Sequence, residues 1–206
     1  MLFDVINRRR LIAGLMVGAA GATAAPDLAH AARSAEAEAF VASEGQKVLA
    51  LLGDRSLSEA ARQSRLAASM DSLADFNRIS TFVLGRHARA FTPAQRQRFN
   101  QAFRAHVQRV FLKQLAAYRG GQLRVTGSAA RSPTDAVVNS VVRVGSGDEA
   151  VSWRVLGASG ALRVADVQAR GVWLAITLQQ DFVSTIDNAR GDVEVLIRRL
   201  ESGGKG

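Results

Sequence analysis

The sequence predicts an α+β protein in which several helices cover a curved antiparallel sheet of about four to five strands. Apolar residues recur with a helical period of 3.6 up to about residue 121 and with a strand period of 2 beyond it. Short glycine-containing turns separate the later segments, and turns of that length join antiparallel strands. A chain of 206 residues with 48% hydrophobic content suits a single domain with one core.

The first 31 residues are predicted to be a cleavable export signal. Arg8, Arg9 and Arg10 precede an apolar run of about 15 residues, which is too short to span a bilayer. Ala29-His30-Ala31 is a small-residue cleavage site. The consecutive arginines resemble a twin-arginine signal, with an ordinary secretory signal as the alternative. The mature domain is then expected to span residues 32–206, to lie in the periplasm and to have no membrane span.

Helices are predicted before residue 121 over about 40–53, 56–70 and 75–84, from their apolar spacing and cap residues. A fourth begins at Thr92, because Thr92, Pro93 and Gln95 form a capping box with proline in the first turn. Its apolar residues share one face, and its arginines point mostly away from that face. The apolar set is Phe99, Phe103, Val107, Val110, Phe111, Leu115 and Tyr118.

Strand signals follow Gly121. The candidate strands are Gln122–Val125, Ala136–Val144, Glu149–Leu156 and Ala161–Ala169. In the third of them Val151, Trp153 and Val155 share a face while Ser152 and Arg154 take the other, so the sheet is expected to be apolar on one side. Helical signals return after Gly171, around Phe182 and Ile186, and again from Asp192 to Leu200.

The formal charge of +9 favours anionic partners, such as lipid headgroups, acidic proteins or nucleic acid. Nucleic acid is disfavoured by the export signal and by the separation of arginines from phenylalanines in the fourth helix, because stacking on bases needs exposed aromatics. No catalytic or metal-binding motif is present, so no enzyme activity, cofactor or metal is expected. Asp166 and Asp181 could pair as acid and base in a hydrolase, but salt bridges to arginines are the preferred interpretation.

The order of several segments resembles the MlaC family, also called the toluene-tolerance family, of periplasmic phospholipid-binding proteins. The segments are FVLGRHARAFTPAQRQRFNQAF, AYRGGQLRV, DVQARGVWLAITLQQDF and GDVEVLIRRL, within a match from about Phe40 to Leu200. The most specific pieces are the Leu84-Gly85-Arg86 turn that leads into Thr92, and the Asp166-Val167 strand end that is followed by Gly171.

The resemblance implies a cone related to nuclear transport factor 2, whose sheet and helices enclose an apolar cavity for lipid acyl chains. It implies a monomeric carrier that shuttles phospholipid between an outer-membrane lipoprotein complex and an inner-membrane MCE-domain protein with an ABC transporter, and so maintains outer-membrane lipid asymmetry. A carrier of hopanoids or other apolar solutes, or an exported protein-binding module, remains the alternative.

The residues expected to line the cavity come from the third and fourth helices and from the inner face of the sheet. They are Ile79, Phe82, Val83, Phe99, Phe103, Val107, Val110, Phe111, Val142, Val144, Trp153, Val155, Leu162, Val164 and Trp173. Arg86 and Arg143 are candidates to contact a headgroup phosphate or an acidic partner, because the guanidinium fork matches a phosphate. The sequence departs from the common family pattern at His87, Ala88, Trp173 and Gln180.

Overall fold

A computed structural model describes residues 34–115, 120–144 and 147–203, so the predicted signal segment 1–31 lies outside the described residues. The helices are α1 (Ala35–Gly53), α2 (Glu59–Leu73), α3 (Phe76–Val83), a short 3-10 helix (Gly85–Arg89), α4 (Pro93–Leu115), α5 (Leu174–Asn188) and α6 (Val193–Glu201). The strands are β1 (Gln122–Ser132), β2 (Asp135–Val144), β3 (Gly147–Leu156), β4 (Arg163–Ala169) and β5 (Val172–Trp173). Within the described ranges, no helix is long and apolar enough to cross a membrane.

The strands form one antiparallel sheet in the order β1-β2-β3-β4-β5, which confirms the predicted α+β meander. β1 is longer than the predicted Gln122–Val125, because a register shift at Gly127 lets pairing continue through a stretch without clear alternation. β5 was not predicted as a separate strand, although Trp173 was assigned to the sheet. It is a strand because Arg170 and Gly171 both have positive φ, at 51° and 79°, as a two-residue type I′ hairpin turn requires.

The helix starts follow the capping signals in the sequence. The predicted capping box is confirmed: the Thr92 amide donates to Gln95 Oε1 at 3.0 Å, and the Gln95 amide donates to Thr92 Oγ1 at 3.3 Å. Ser58 caps α2 and accepts from the Ala61 amide, so α2 begins at Glu59, slightly later than predicted. α1 begins earlier than predicted, because Ser34 caps it ahead of its first large apolar residues.

The interior consists of separate hydrophobic clusters. The helical cluster lies among α3, α4, α5 and α6 and is built around aromatic rings, with the parallel rings of Phe99 and Phe103 5.6 Å apart and Phe182 meeting both edge-on. Two sheet clusters join α1 and α2 to the sheet. The first surrounds Val41 and Val138, and the second consists of leucines and valines. The second contains Leu49, Leu52, Leu66, Val142 and Val151.

The arginines of α4 tie this helix to its neighbours. Arg98 donates to Glu194 and Glu201 of α6 at about 3.0 Å each. Arg104 pairs with Asp71 of α2 at 3.4 Å, and its guanidinium lies 5.0 Å from the centre of the Phe76 ring. The basic face of α4 therefore holds helices together beside its buried apolar face.

Candidate functional site

An apolar cavity of about 350 Å³ lies between the helical cluster and the sheet clusters. One side is formed by α1, α2 and the inner face of the sheet, and the other by α3, α4 and the start of α5. The wall is almost wholly apolar, with Glu44, His106, Asp166 and Thr177 as its few polar residues. The volume falls within the range of about 300 to 1,000 Å³ that is typical of ligand sites.

Part of the predicted lining set lies together at this cavity. Those residues are Ile79, Phe103, Val107, Val110, Phe111, Val142, Trp153 and Val164. They come from α3, α4, β2, β3 and β4, so the fold brings helix and sheet positions that are distant in sequence to one space.

The other predicted lining residues are placed elsewhere. Val83 and Phe99 are fully buried in the helical cluster, and Val155 lies in a sheet cluster that Leu162 packs against. Phe82 and Trp173 line a second pocket instead. The side chain of Val144 lies outside the described residues. Val83, Phe99 and Val155 are kept from the cavity because side chains of neighbouring elements pack around them.

The sequence-based set omitted much of the wall formed by α1, α2 and α5. These elements contribute Phe40, Val41, Val48, Leu49, Leu66, Met70, Leu73, Leu174 and Leu178. The one-sided apolar spacing of α1 was visible in the sequence. The sequence contained no indication that α1 closes the cavity from the side opposite α4.

Trp153 is fixed in the cavity wall by a buried hydrogen-bond chain. Its indole Nε1–H donates to Ser140 Oγ at 2.9 Å, and the Ser140 hydroxyl donates to the Val151 carbonyl oxygen at 2.9 Å. Ser140 is a buried residue of β2 that lies opposite Val151 of β3. The chain satisfies the indole N–H at the edge of an apolar space, where an unpaired donor would be costly.

We expect Ser140→Ala to lower the free energy of unfolding by about 1 to 3 kcal/mol, because the Trp153 indole N–H loses its acceptor in a buried place. Urea unfolding measures the change. Ser152→Ala is the matched control. Ser152 directly precedes Trp153 on β3, and its hydroxyl donates to Asn139 in an exposed hydrogen bond. Equal losses in the two variants would contradict the role given to Ser140.

His106 is a polar residue of α4 in the cavity wall, and its Nδ1 is buried without a hydrogen-bond partner among the described residues. Burial lowers the pKa of His106, and the charges of Arg109 and Arg199 lower it further, while Asp181 opposes them. The folded protein therefore favours the neutral imidazole.

A lowered pKa in the folded state makes stability depend on pH in a defined direction. The contribution of His106 is fully present above the unfolded pKa of about 6.5 and is lost as the pH falls through that value toward the folded pKa, because the unfolded chain binds more protons there. We expect His106→Gln to unfold with a smaller loss of stability between pH 7 and pH 5 than the wild-type protein. Urea midpoints at the two pH values check this, and identical losses would contradict it.

Asp166 holds the start of α5. Its Oδ1 accepts from the amides of Val167 at 2.8 Å and Ala175 at 2.9 Å, which places a carboxylate at the helix N-terminus. Burial raises the pKa of Asp166, and these amide hydrogen bonds oppose the shift. The predicted salt bridge is present for Asp181, which pairs with Arg199 at 3.0 Å, but the hydrogen-bond partners of Asp166 are backbone amides.

Arg86 and Arg143 lie outside the cavity and pair with carboxylates. Arg86 and His87 both bond to Asp187, and these bonds lower the pKa of Asp187. Arg143 donates to both oxygens of Asp148, at 2.8 and 3.2 Å. Both arginines are exposed, and their contact with a headgroup or partner stays a prediction.

Comparisons with known proteins agree with this fold. The family model described as MlaC protein matches residues 43–202. A solved phospholipid-binding protein from Ralstonia solanacearum, determined in complex with a phospholipid, is 28% identical, with a TM-score of 0.73 over 82% of this chain and 96% of that chain. No relative is found among curated protein sequences. Because the family model covers most of the described domain, the chain belongs to the MlaC family.

Proposed function

We propose that this chain is a periplasmic phospholipid carrier that encloses acyl chains in the cavity between its helical and sheet clusters. The observation that carries the proposal is a wall of almost unbroken apolar surface in the interior of a charged protein. The Ralstonia protein, with the same fold, was solved with a phospholipid bound. Family and neighbour both point to binding and transport of lipid.

The energetics of lipid transfer require such a space. Each methylene moved from an apolar medium into water costs about 0.8 kcal/mol, so a two-chain lipid with about 30 methylenes needs on the order of 20 kcal/mol of shielding. The side chains that line an empty cavity also lose dispersion contacts. A bound acyl chain restores them, so we expect the ligand to stabilise the fold.

The carrier is proposed to exchange lipid with an outer-membrane lipoprotein complex and with an inner-membrane MCE-domain protein that is attached to an ABC transporter. The export signal, expected from the first 31 residues, would place the protein between those membranes. The exposed arginines suit transient contact with anionic surfaces.

Transfer between vesicles tests the proposal. Donor vesicles carry a fluorescent phospholipid whose emission is quenched, and acceptor vesicles carry no quencher. We expect the rate of dequenching to rise in proportion to protein concentration. A rate equal to the spontaneous rate at every concentration would contradict a carrier role. Transfer of a fluorescent hopanoid in place of the phospholipid would favour the alternative ligand.

A further inference from the structure

The apolar cavity has an open end and a closed end. Val110 of α4 and Thr177 of α5 line the cavity and are exposed, Val110 by 42%, so the cavity reaches the surface beside them. Farther from this opening, Phe76 and Phe103 line the cavity from the helical cluster and Val41 lines it from the first sheet cluster, and all three are buried. An acyl chain that enters at the open end therefore meets packed protein at the other.

On the sheet, the cavity lining stops at Trp153. Side chains two residues apart on a strand share a face, and on the inward face of β3 both Val151 and Trp153 line the cavity. The next residue on that face, Val155, does not line it. Val155 is buried with Ala136 and Val138 of β2 in the first sheet cluster. Trp153 is therefore the last side chain of β3 that an acyl chain can reach from the open end.

Trp153 also stands between the two sheet clusters. Among the residues that the structure describes, it is the one partly buried side chain that packs against both of them. Four of the five buried residues of the second sheet cluster line the cavity, whereas Val41 is the only one of the five in the first cluster that does so. The first cluster thus fills the space behind the indole of Trp153.

The indole of Trp153 is held in one position. Its Nε1–H donates to Ser140 Oγ at 2.9 Å, and Ser140 is only 2% exposed. A rotated ring would leave this N–H without an acceptor, because the cavity wall around it is almost wholly apolar, and an unpaired buried donor is costly. The closed end of the cavity therefore lies at a fixed depth.

We propose that Trp153 determines which acyl-chain lengths the carrier prefers, by closing the inner end of the cavity with a ring that cannot turn aside. The proposal rests on the proposed carrier function, because it concerns the same cavity. A chain that ends at the ring is shielded along its length, whereas a longer chain leaves its additional methylenes in water at the open end. Each methylene left in water lowers the affinity about fourfold, so a fixed depth discriminates between chains that differ by a few carbons.

Competition between two lipids with the same headgroup tests this role. The full mature chain is incubated with vesicles that contain equal amounts of dipalmitoleoyl- and dieicosenoyl-phosphatidylglycerol. Mass spectrometry of the re-isolated protein gives the ratio of the longer lipid to the shorter one. We expect Trp153→Leu to raise this ratio at least about fourfold above that of wild type, because the smaller side chain makes room for one or more further methylenes.

Trp173→Leu is the matched control, because it removes the same ring from a residue that lines the second pocket and not the cavity. Its ratio is expected to equal that of wild type. Phe111→Leu separates the closed end from the open end, since Phe111 lines the cavity directly after the exposed Val110. We expect a wild-type ratio for Phe111→Leu, whatever its effect on the total lipid.

An unchanged ratio in a Trp153→Leu protein that still binds lipid would overturn the role of Trp153 and leave the carrier function intact. An equal rise in Phe111→Leu would also overturn it, because any enlargement of the cavity would then admit longer chains. No uptake of either lipid by wild type would overturn the carrier function and this role together. Should Trp153→Leu fail to fold, Trp153→Phe keeps a smaller ring and is expected to raise the ratio by a smaller factor. A wild-type ratio in Trp153→Phe would then overturn the proposal.

Discussion

Replacing Val107 by tryptophan is expected to remove most of the bound lipid while the protein stays folded. Val107 lies in the cavity wall on α4 and packs against the edge of the helical cluster. The larger side chain has the cavity to occupy, so it takes the volume of an acyl chain without displacing the protein's own side chains. We expect the free energy of unfolding of the lipid-free protein to change by less than about 1 kcal/mol, below the 1 to 3 kcal/mol usual for overpacking a filled core.

Ala105→Trp is the matched control for this substitution. Ala105 is exposed on the same helix, two residues away, and does not line the cavity. Lipid per protein after extraction and urea unfolding are measured for both variants. A Val107→Trp protein that keeps its full lipid content, or that unfolds with the loss typical of an overpacked core, would contradict an accessible cavity at this position.

Phe99→Ala is expected to cost about 3 to 5 kcal/mol of stability, the usual range for removing a buried aromatic side chain. Phe99 is fully buried, stacks on Phe103 and meets Phe91 and Phe182 edge-on. Since domains of this size are stable by about 5 to 15 kcal/mol, the loss is a large part of the total. Denaturant unfolding measures it.

Phe82→Ala is the control for Phe99→Ala, because it removes the same side chain from a partly exposed position. We expect its cost to stay near 1 kcal/mol, in line with the incomplete burial of the ring. Similar losses for Phe82 and Phe99 would show that the helical cluster is not the filled core that its contacts indicate.

The sequence predicted local features of α4 well and their surroundings poorly. The capping box at Thr92 and the apolar face from Phe99 to Phe111 depend only on residues within one helix. Phe99 and Phe103 lie one turn apart on that face, yet Phe103 lines the cavity whereas Phe99 is enclosed by packed side chains. That difference depends on where α5, α6 and the sheet lie, and helical spacing carries no information about them.

The sheet shows the same division between local and tertiary information. Alternation predicted the inner face of β3, where Val151 and Trp153 line the cavity, but it also pointed to Val155, which a sheet cluster buries. β5 depends on positive φ at both Arg170 and Gly171, and of these two residues only the glycine is typical of positive φ. The second pocket combines residues that are distant in sequence, from Arg78 to Ile176, so no local pattern could have predicted it.

The most direct test of the central claim is the identity of what the protein carries. Protein purified without detergent is extracted with organic solvent, and mass spectrometry quantifies the extract against a Val107→Trp sample prepared in parallel. An accessible acyl-chain cavity predicts reproducible phospholipid near one molecule per wild-type chain and much less in the variant. An extract that contains no lipid, or equal lipid in both samples, would contradict it.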